Sequence, residues 1–273
     1  MSTARNNYLQ LIDFASKHSE FQFGPTQSQV DTEQKPNYPT IIPYNITKMS
    51  SEPLTLISAT PSPFARMNRI ALQLKGIPFE LQNEIPWESK TQTPKYNPLE
   101  KLPILVFPKG DPRPPVYESA HIQNYIVEKY ADKGPKLLPG DLDGNLQAKQ
   151  IVVLGVGCMD AMVLSRWESR RDKEQQSQKW IDRQSRKVDG ALRAFNDYVE
   201  AAKKDGREFV VGIELSIADI AIICTVGFID FGEVRPGWRD QYPALAKYYD
   251  HLDKQKEFAE TRPVMFDLTE QVV

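Results

Sequence analysis

The sequence predicts an α/β unit followed by an all-helical unit, and three observations carry that prediction. Leu54-Thr55-Leu56-Ile57-Ser58 and Phe79-Glu80-Leu81-Gln82-Asn83 read as strands on either side of one helical stretch. From Asn145 onward the patterned stretches have helical rather than strand period. Ser216 and Asp219 stand three residues apart, as a capping box does, ahead of a segment that is apolar nearly all round.

The elements follow in order. Ser62 is a good N-cap and Pro63 fits the first helical position, where no N–H is needed. Met67, Ile70, Ala71 and Leu74 form one apolar stripe, and Gly76 with Pro78 ends the helix near Lys75. A strand, a crossover helix and a second strand imply a parallel pair, with Ser62 at the carboxyl end of the first strand, over the positive end of the helix. Residues 86–96 lack a clean period and read as a loop or short helix. Ile104–Phe107 suits a central strand, and Pro115-Val116-Tyr117 a short edge strand. Ser119 is expected to cap the next helix, which buries Ile122, Tyr125, Ile126 and Tyr130.

Gly134-Pro135 and Pro139–Gly144 mark a boundary. Beyond it, Ile151, Leu154, Cys158 and Met162 line one helix, and Gly155-Val156-Gly157 is a close-packing point within it rather than a dinucleotide loop, since a third glycine is missing. A charged stretch from Arg170 runs on toward Val188, Leu192, Phe195 and Tyr198 as one long amphipathic helix, and a last helix spans about 244–254. The division expected is an irregular extension over 1–52, an α/β domain over 53–133, a linker over 134–144, a helical domain over 145–266 and a tail over 267–273.

Composition excludes several classes of function. With 34 basic and 36 acidic residues, no global field invites nucleic acid or an anionic membrane. Cys158 and Cys224 form no CxxC pair, which argues against a disulfide framework and for a reducing compartment. The chain has no unbroken run of about 18 apolar residues and no secretory signal pattern, so a cytoplasmic, non-membrane protein is the expectation. His18, His121 and His251 are scattered, so no metal site is expected.

Ser62-Pro63-Phe64-Ala65-Arg66, Asn97–Leu105, Glu118-Ser119 and Ser216–Asp219 occur in an order and spacing that resembles the cytosolic glutathione S-transferases, over roughly residues 54 to 262. The pattern is similar to Ser-type, zeta- or omega-like bacterial and fungal members. The resemblance implies a thioredoxin-like N-terminal domain that binds glutathione as co-substrate, with no permanently bound cofactor. It implies an all-helical domain that holds a small hydrophobic electrophile, and a homodimer. It makes Ser62 the donor to the glutathione thiolate, with Thr60 as second choice. It makes Leu102-Pro103 a cis bond whose backbone pairs with the cysteinyl part of glutathione, gives Glu118 and Ser119 the γ-glutamyl end, and gives Lys101 a carboxylate contact. Met159, Met162 and Arg166 are candidates for the electrophile pocket, with core packing the alternative for the two methionines.

The chain departs from the family in two places. Ser62 stands where the omega class has Cys, which disfavours thiol reduction through a mixed disulfide. The repeated serines of the zeta class are missing, which counts against a zeta-type isomerase, the alternative beside the transferase. A noncatalytic scaffold of the same fold is the other alternative.

Overall fold

The computed structural model of the protein describes residues 52–266. The expected extension, except for its last residue, and the 267–273 tail lie outside the described residues. Four strands, β1 (Leu54–Ser58), β2 (Phe79–Asn83), β3 (Ile104–Val106) and β4 (Val116–Tyr117), form one sheet in the order β2-β1-β3-β4. β1 and β2 are parallel, joined by helix α1 (Pro63–Leu74), and β3 and β4 add antiparallel neighbours. Leu81 is exposed on β2, which is an edge strand.

α1 begins as its sequence dictates. The Ser62 Oγ accepts from the Ala65 N–H at 3.2 Å, Pro63 occupies the first turn, and Met67, Ile70 and Ala71 are fully buried. Gly76, at φ 61, ends it with the left-handed residue that a side chain would disfavour.

The remaining helices are α2 (Ser119–Lys129), α3 (Leu142–Glu168), α4 (Gln178–Lys204), α5 (Ile217–Phe231), α6 (Trp238–Gln241), α7 (Pro243–Leu252) and α8 (Lys256–Ala259). α5 is buried along nearly its whole length and packs against α3, α1 and α7. A Cβ at Gly155 would meet Thr225 Oγ1 at 3.0 Å and Ala221 Cβ at 3.4 Å, so the glycine lets α3 and α5 cross closely.

The stretch from Arg170 does not begin α4. A turn over Lys173–Gln175 intervenes, and Ser177 caps the helix by accepting from the Trp180 N–H at 3.3 Å. Glu168 Oε1 accepts from the Ser177 N–H at 2.6 Å, pinning this corner to the end of α3.

By length and composition alone α3 could cross a membrane, the one such helix among the described residues. Packing explains half of that apolarity, since its inner face meets α4 and α5 in the core.

Candidate active site at the carboxyl edge of the sheet

The site begins with one cross-strand row. Ile57 of β1 pairs with Ile104 of β3, and Ile104 pairs with Tyr117 of β4. Adjacent strands lie about 4.8 Å apart. The loop to Ser62 leaves just after Ile57, Leu102-Pro103 arrives just before Ile104, and Glu118-Ser119 follows Tyr117 directly. Three motifs spread over sixty residues of sequence therefore share one sheet edge. Both α1 and α2 begin there, with the positive ends of their dipoles on the same side.

Each predicted residue can now be placed. The Ser62 hydroxyl, half-buried, accepts from Ala65, which leaves its own proton to be donated elsewhere. Thr60 lies in the same loop, and its carbonyl accepts from the Val264 N–H at 3.3 Å, so the chain after α8 returns to the mouth of the site. Leu102-Pro103 is cis.

The preceding loop is fixed by buried Asn97, whose Nδ2 donates to the Lys101 carbonyl at 2.8 Å and whose Oδ1 accepts from the Leu99 N–H at 2.9 Å. That brace was not anticipated, although an Asn preceding Pro is a turn signal. Lys101 itself is exposed.

The cap of α2 is Glu118, not Ser119. The Glu118 carboxylate accepts from the His121 N–H at 3.1 Å and from the Ser119 hydroxyl at 3.4 Å, and Ser119 is the buried first residue of the helix. The acid one residue earlier reaches a free N–H of the first turn and adds a charge favourable to the dipole. Glu118 also holds φ 78, a region that a residue with a side chain enters only where its surroundings impose it, and such residues concentrate at functional sites.

Met159 and Met162 are buried in the hydrophobic core, so their side chains are taken up by packing, the alternative that their helical spacing allowed; Arg166 is exposed. Sequence reasoning missed Asp160 on the same helix. Burial pushes its carboxyl pKa up, Lys101 pulls it down and Glu118 pushes it up again, which puts Asp160 within electrostatic reach of both.

A buried ion pair ties α1 to the end of the helical unit. Arg66 Nη2 donates to Asp253 Oδ1 at 2.6 Å and to the Phe258 carbonyl at 2.9 Å, and Nε donates to Thr261 Oγ1 at 3.3 Å. Asp253 Oδ2 also accepts from Arg262 Nε at 2.6 Å, two residues before the segment that reaches Thr60.

Comparison with known proteins identifies the family and the fold. Residues 61–129 match the family model of the glutathione S-transferase N-terminal domain, and residues 178–251 match that of the C-terminal domain. The uncharacterized GST-like protein YibF of Escherichia coli is 34% identical over 210 residues, 77% of this chain and 98% of that protein. This chain belongs to the glutathione S-transferase family. A glutathione S-transferase from Methylobacterium radiotolerans, solved in complex with glutathione sulfonate, is 41% identical and superposes with a TM-score of 0.74, over 81% of this chain and all of that one. One from Methylobacillus flagellatus, with glutathione bound, is 28% identical with a TM-score of 0.70, over 77% and 100%. The fold is thus that of the family's thioredoxin-like N-terminal domain followed by a helical region.

Proposed function

We propose that this glutathione S-transferase family member binds glutathione along the carboxyl edge of its sheet and activates the thiolate for attack on a hydrophobic electrophile. The observation that carries the reading is the Ile57–Ile104–Tyr117 row, which sets Ser62, Leu102-Pro103 and Glu118-Ser119 side by side.

The tripeptide would lie across that edge. The γ-glutamyl end meets Glu118 and the N-terminus of α2, its ammonium pairing with the Glu118 carboxylate. The cysteinyl backbone pairs with Leu102, and Lys101 takes a carboxylate. The sulfur then sits over the N-terminus of α1, where the Ser62 hydroxyl donates to it and Thr60 is the second choice.

The energies are of the required size. Lowering a free thiol from a pKa near 8.5 by about two units needs about 2.7 kcal/mol of preference for the thiolate. A helix N-terminus supplies roughly 0.3–2 kcal/mol, and a hydrogen bond to a charged acceptor about 1.5–3 kcal/mol. The thiol proton goes to solvent, and the bound thiolate attacks an electrophile held beside it. The two cysteines take no part, because burial pushes both thiols up to about 12. A cytoplasmic location fits free, buried thiols.

The test is the thiolate absorbance of bound glutathione against pH in the parent protein and in Ser62→Ala, with conjugation of 1-chloro-2,4-dinitrobenzene followed in parallel. The expected outcome is a bound-thiol pKa about two units below that of free glutathione that returns most of the way in Ser62→Ala, with turnover at pH 6.5 falling at least tenfold. Equal pKa values in the two proteins would transfer the role to Thr60 or the backbone. If neither protein binds glutathione, the transferase reading fails and the scaffold takes its place.

A further inference from the structure

α3 passes the site on a defined face. Asp160 lies within electrostatic reach of Lys101 and Glu118, and Trp167, seven residues further on, shares that helical face about 10 Å along the axis. There Trp167 meets Trp87, with ring centroids 4.7 Å apart and planes at 66°. Trp87 comes from the loop that follows β2. Its loop leaves the sheet at the same edge, where the Glu84 N–H donates to the Ser58 carbonyl at 2.7 Å.

The loop is pinned further along, because Glu84 Oε2 accepts from the Thr91 hydroxyl and the Gln92 N–H, both at 3.1 Å. Two indoles from segments eighty residues apart thus touch across the mouth of the site, and Trp87 still leaves 40% of its surface to solvent.

A third group completes the arrangement. The Arg170 guanidinium lies 5.0 Å from the Trp167 ring centroid, and among the described residues it forms no ion pair. Glu168, one of the two acids nearest to Arg170 in sequence, is engaged by Arg171 at 3.5 Å and by the Ser177 N–H. Arg166 adds a second exposed cation beside Trp167. Aromatic walls with a few fixed polar groups are the usual lining of a small-molecule site, and a flat ring gains from offset or edge contact with an indole.

We propose that Trp87, Trp167 and Arg170 form the acceptor subsite, and that the electrophile it takes is a flat aromatic ring bearing an anionic group such as a carboxylate. This rests on the transferase reading for its chemistry but not for its binding. The ring lies against the indoles, the carboxylate pairs with Arg170, and the reactive carbon faces the thiolate. With an aryl chloride the glutathione sulfur bonds to the ring carbon, the C–Cl bond breaks, chloride leaves with the bonding pair, and the thiol proton goes to solvent.

The test separates binding from turnover. Calorimetry would compare unreactive 3,5-dinitrobenzoate with uncharged 1,3-dinitrobenzene in the parent protein, Arg170→Gln, Trp87→Leu and Trp167→Leu, with glutathione titrated into each. Dinitrobenzoate is expected to bind at least tenfold more tightly than dinitrobenzene in the parent, and within threefold of it in Arg170→Gln. Both tryptophan variants are expected to weaken both ligands at least fivefold, with glutathione affinity unchanged. The same order should appear in kcat/KM for 4-chloro-3,5-dinitrobenzoate against 1-chloro-2,4-dinitrobenzene. Equal binding of the two unreactive ligands by the parent, or no loss in Arg170→Gln, overturns the subsite. Arg170-dependent binding of dinitrobenzoate without any glutathione binding would leave the subsite standing and remove the transferase reading instead.

Discussion

Arg66 keeps its guanidinium at 2% exposure inside the protein, between the first turn of α1 and the chain that follows α7. Burial opposes the charge, but the surrounding Cys224, Asp253 and Tyr249 side chains outweigh it, and its pKa is moved up. Gly227 makes the room, because a Cβ there would lie 2.5 Å from Arg66 Nη1. A glycine inside an apolar core helix is therefore explained by a residue 161 positions earlier, a relation no local pattern in the sequence could reveal. Removing one partner of a buried pair costs about 3–5 kcal/mol, and the low end applies here because Arg262 still serves Asp253. Arg66→Met should thus lose about 3 kcal/mol of stability in urea unfolding. A loss under about 1 kcal/mol would mean that the network does not tie α1 to the chain end.

At the scale of the element, the start of α5 shows what a sequence reveals and what it conceals. The box was legible because both of its halves are local: the Ser216 N–H and Oγ donate to Asp219 Oδ2 at 2.7 and 2.8 Å, and Ser216 Oγ accepts from the Ala218 N–H at 3.3 Å. The rest is tertiary. Asp219 Oδ1 accepts from the Val210 N–H at 2.9 Å and from the Tyr248 hydroxyl, so one buried carboxylate joins α5 to the preceding loop and to α7.

Ser216→Ala should therefore cost about 1 kcal/mol, the usual value of a cap. Asp219→Ala should cost at least about 3 kcal/mol, because it leaves two N–H groups and a phenol buried without a partner. Chemical unfolding of the two variants side by side checks the ordering, and equal losses would mean that Asp219 acts only as a cap. The same contrast explains the two misplaced helix starts. Ser119 and Glu118 are adjacent residues that can each cap, and only the chain direction at β4 selects the acid; the corner before α4 depends on Glu168 reaching Ser177 across nine positions.

For the whole molecule, the motifs of the proposed glutathione edge were legible one by one, because each is a short run at a strand end. Their adjacency was not, since it comes from strand order and the Ile57–Ile104–Tyr117 register. The outer face of α3 raises the remaining question. The sequence shows its inner stripe, whereas the structure leaves Leu146, Val153 and Leu164 at 64%, 60% and 43% exposure, with Gly157 open between them. Their spacings of 7, 4 and 7 put them on one side of the helix over about 27 Å.

Exposed Gln150 and Asp160 lie on the same side, so the face is mixed and borders the site that Asp160 faces; we propose that a second copy of the chain covers its apolar residues, as a twofold contact would. The homodimer expected from the family pattern is thus proposed to close along α3, burying about 800 Å² on each partner. Sedimentation velocity of the parent at micromolar concentration should give a dimer. Val153→Asp with Leu164→Asp, both pointing away from the core, should give a folded monomer with at least a hundredfold weaker association. A monomeric parent would end the proposal, and a double variant that stays dimeric would move the interface to another face.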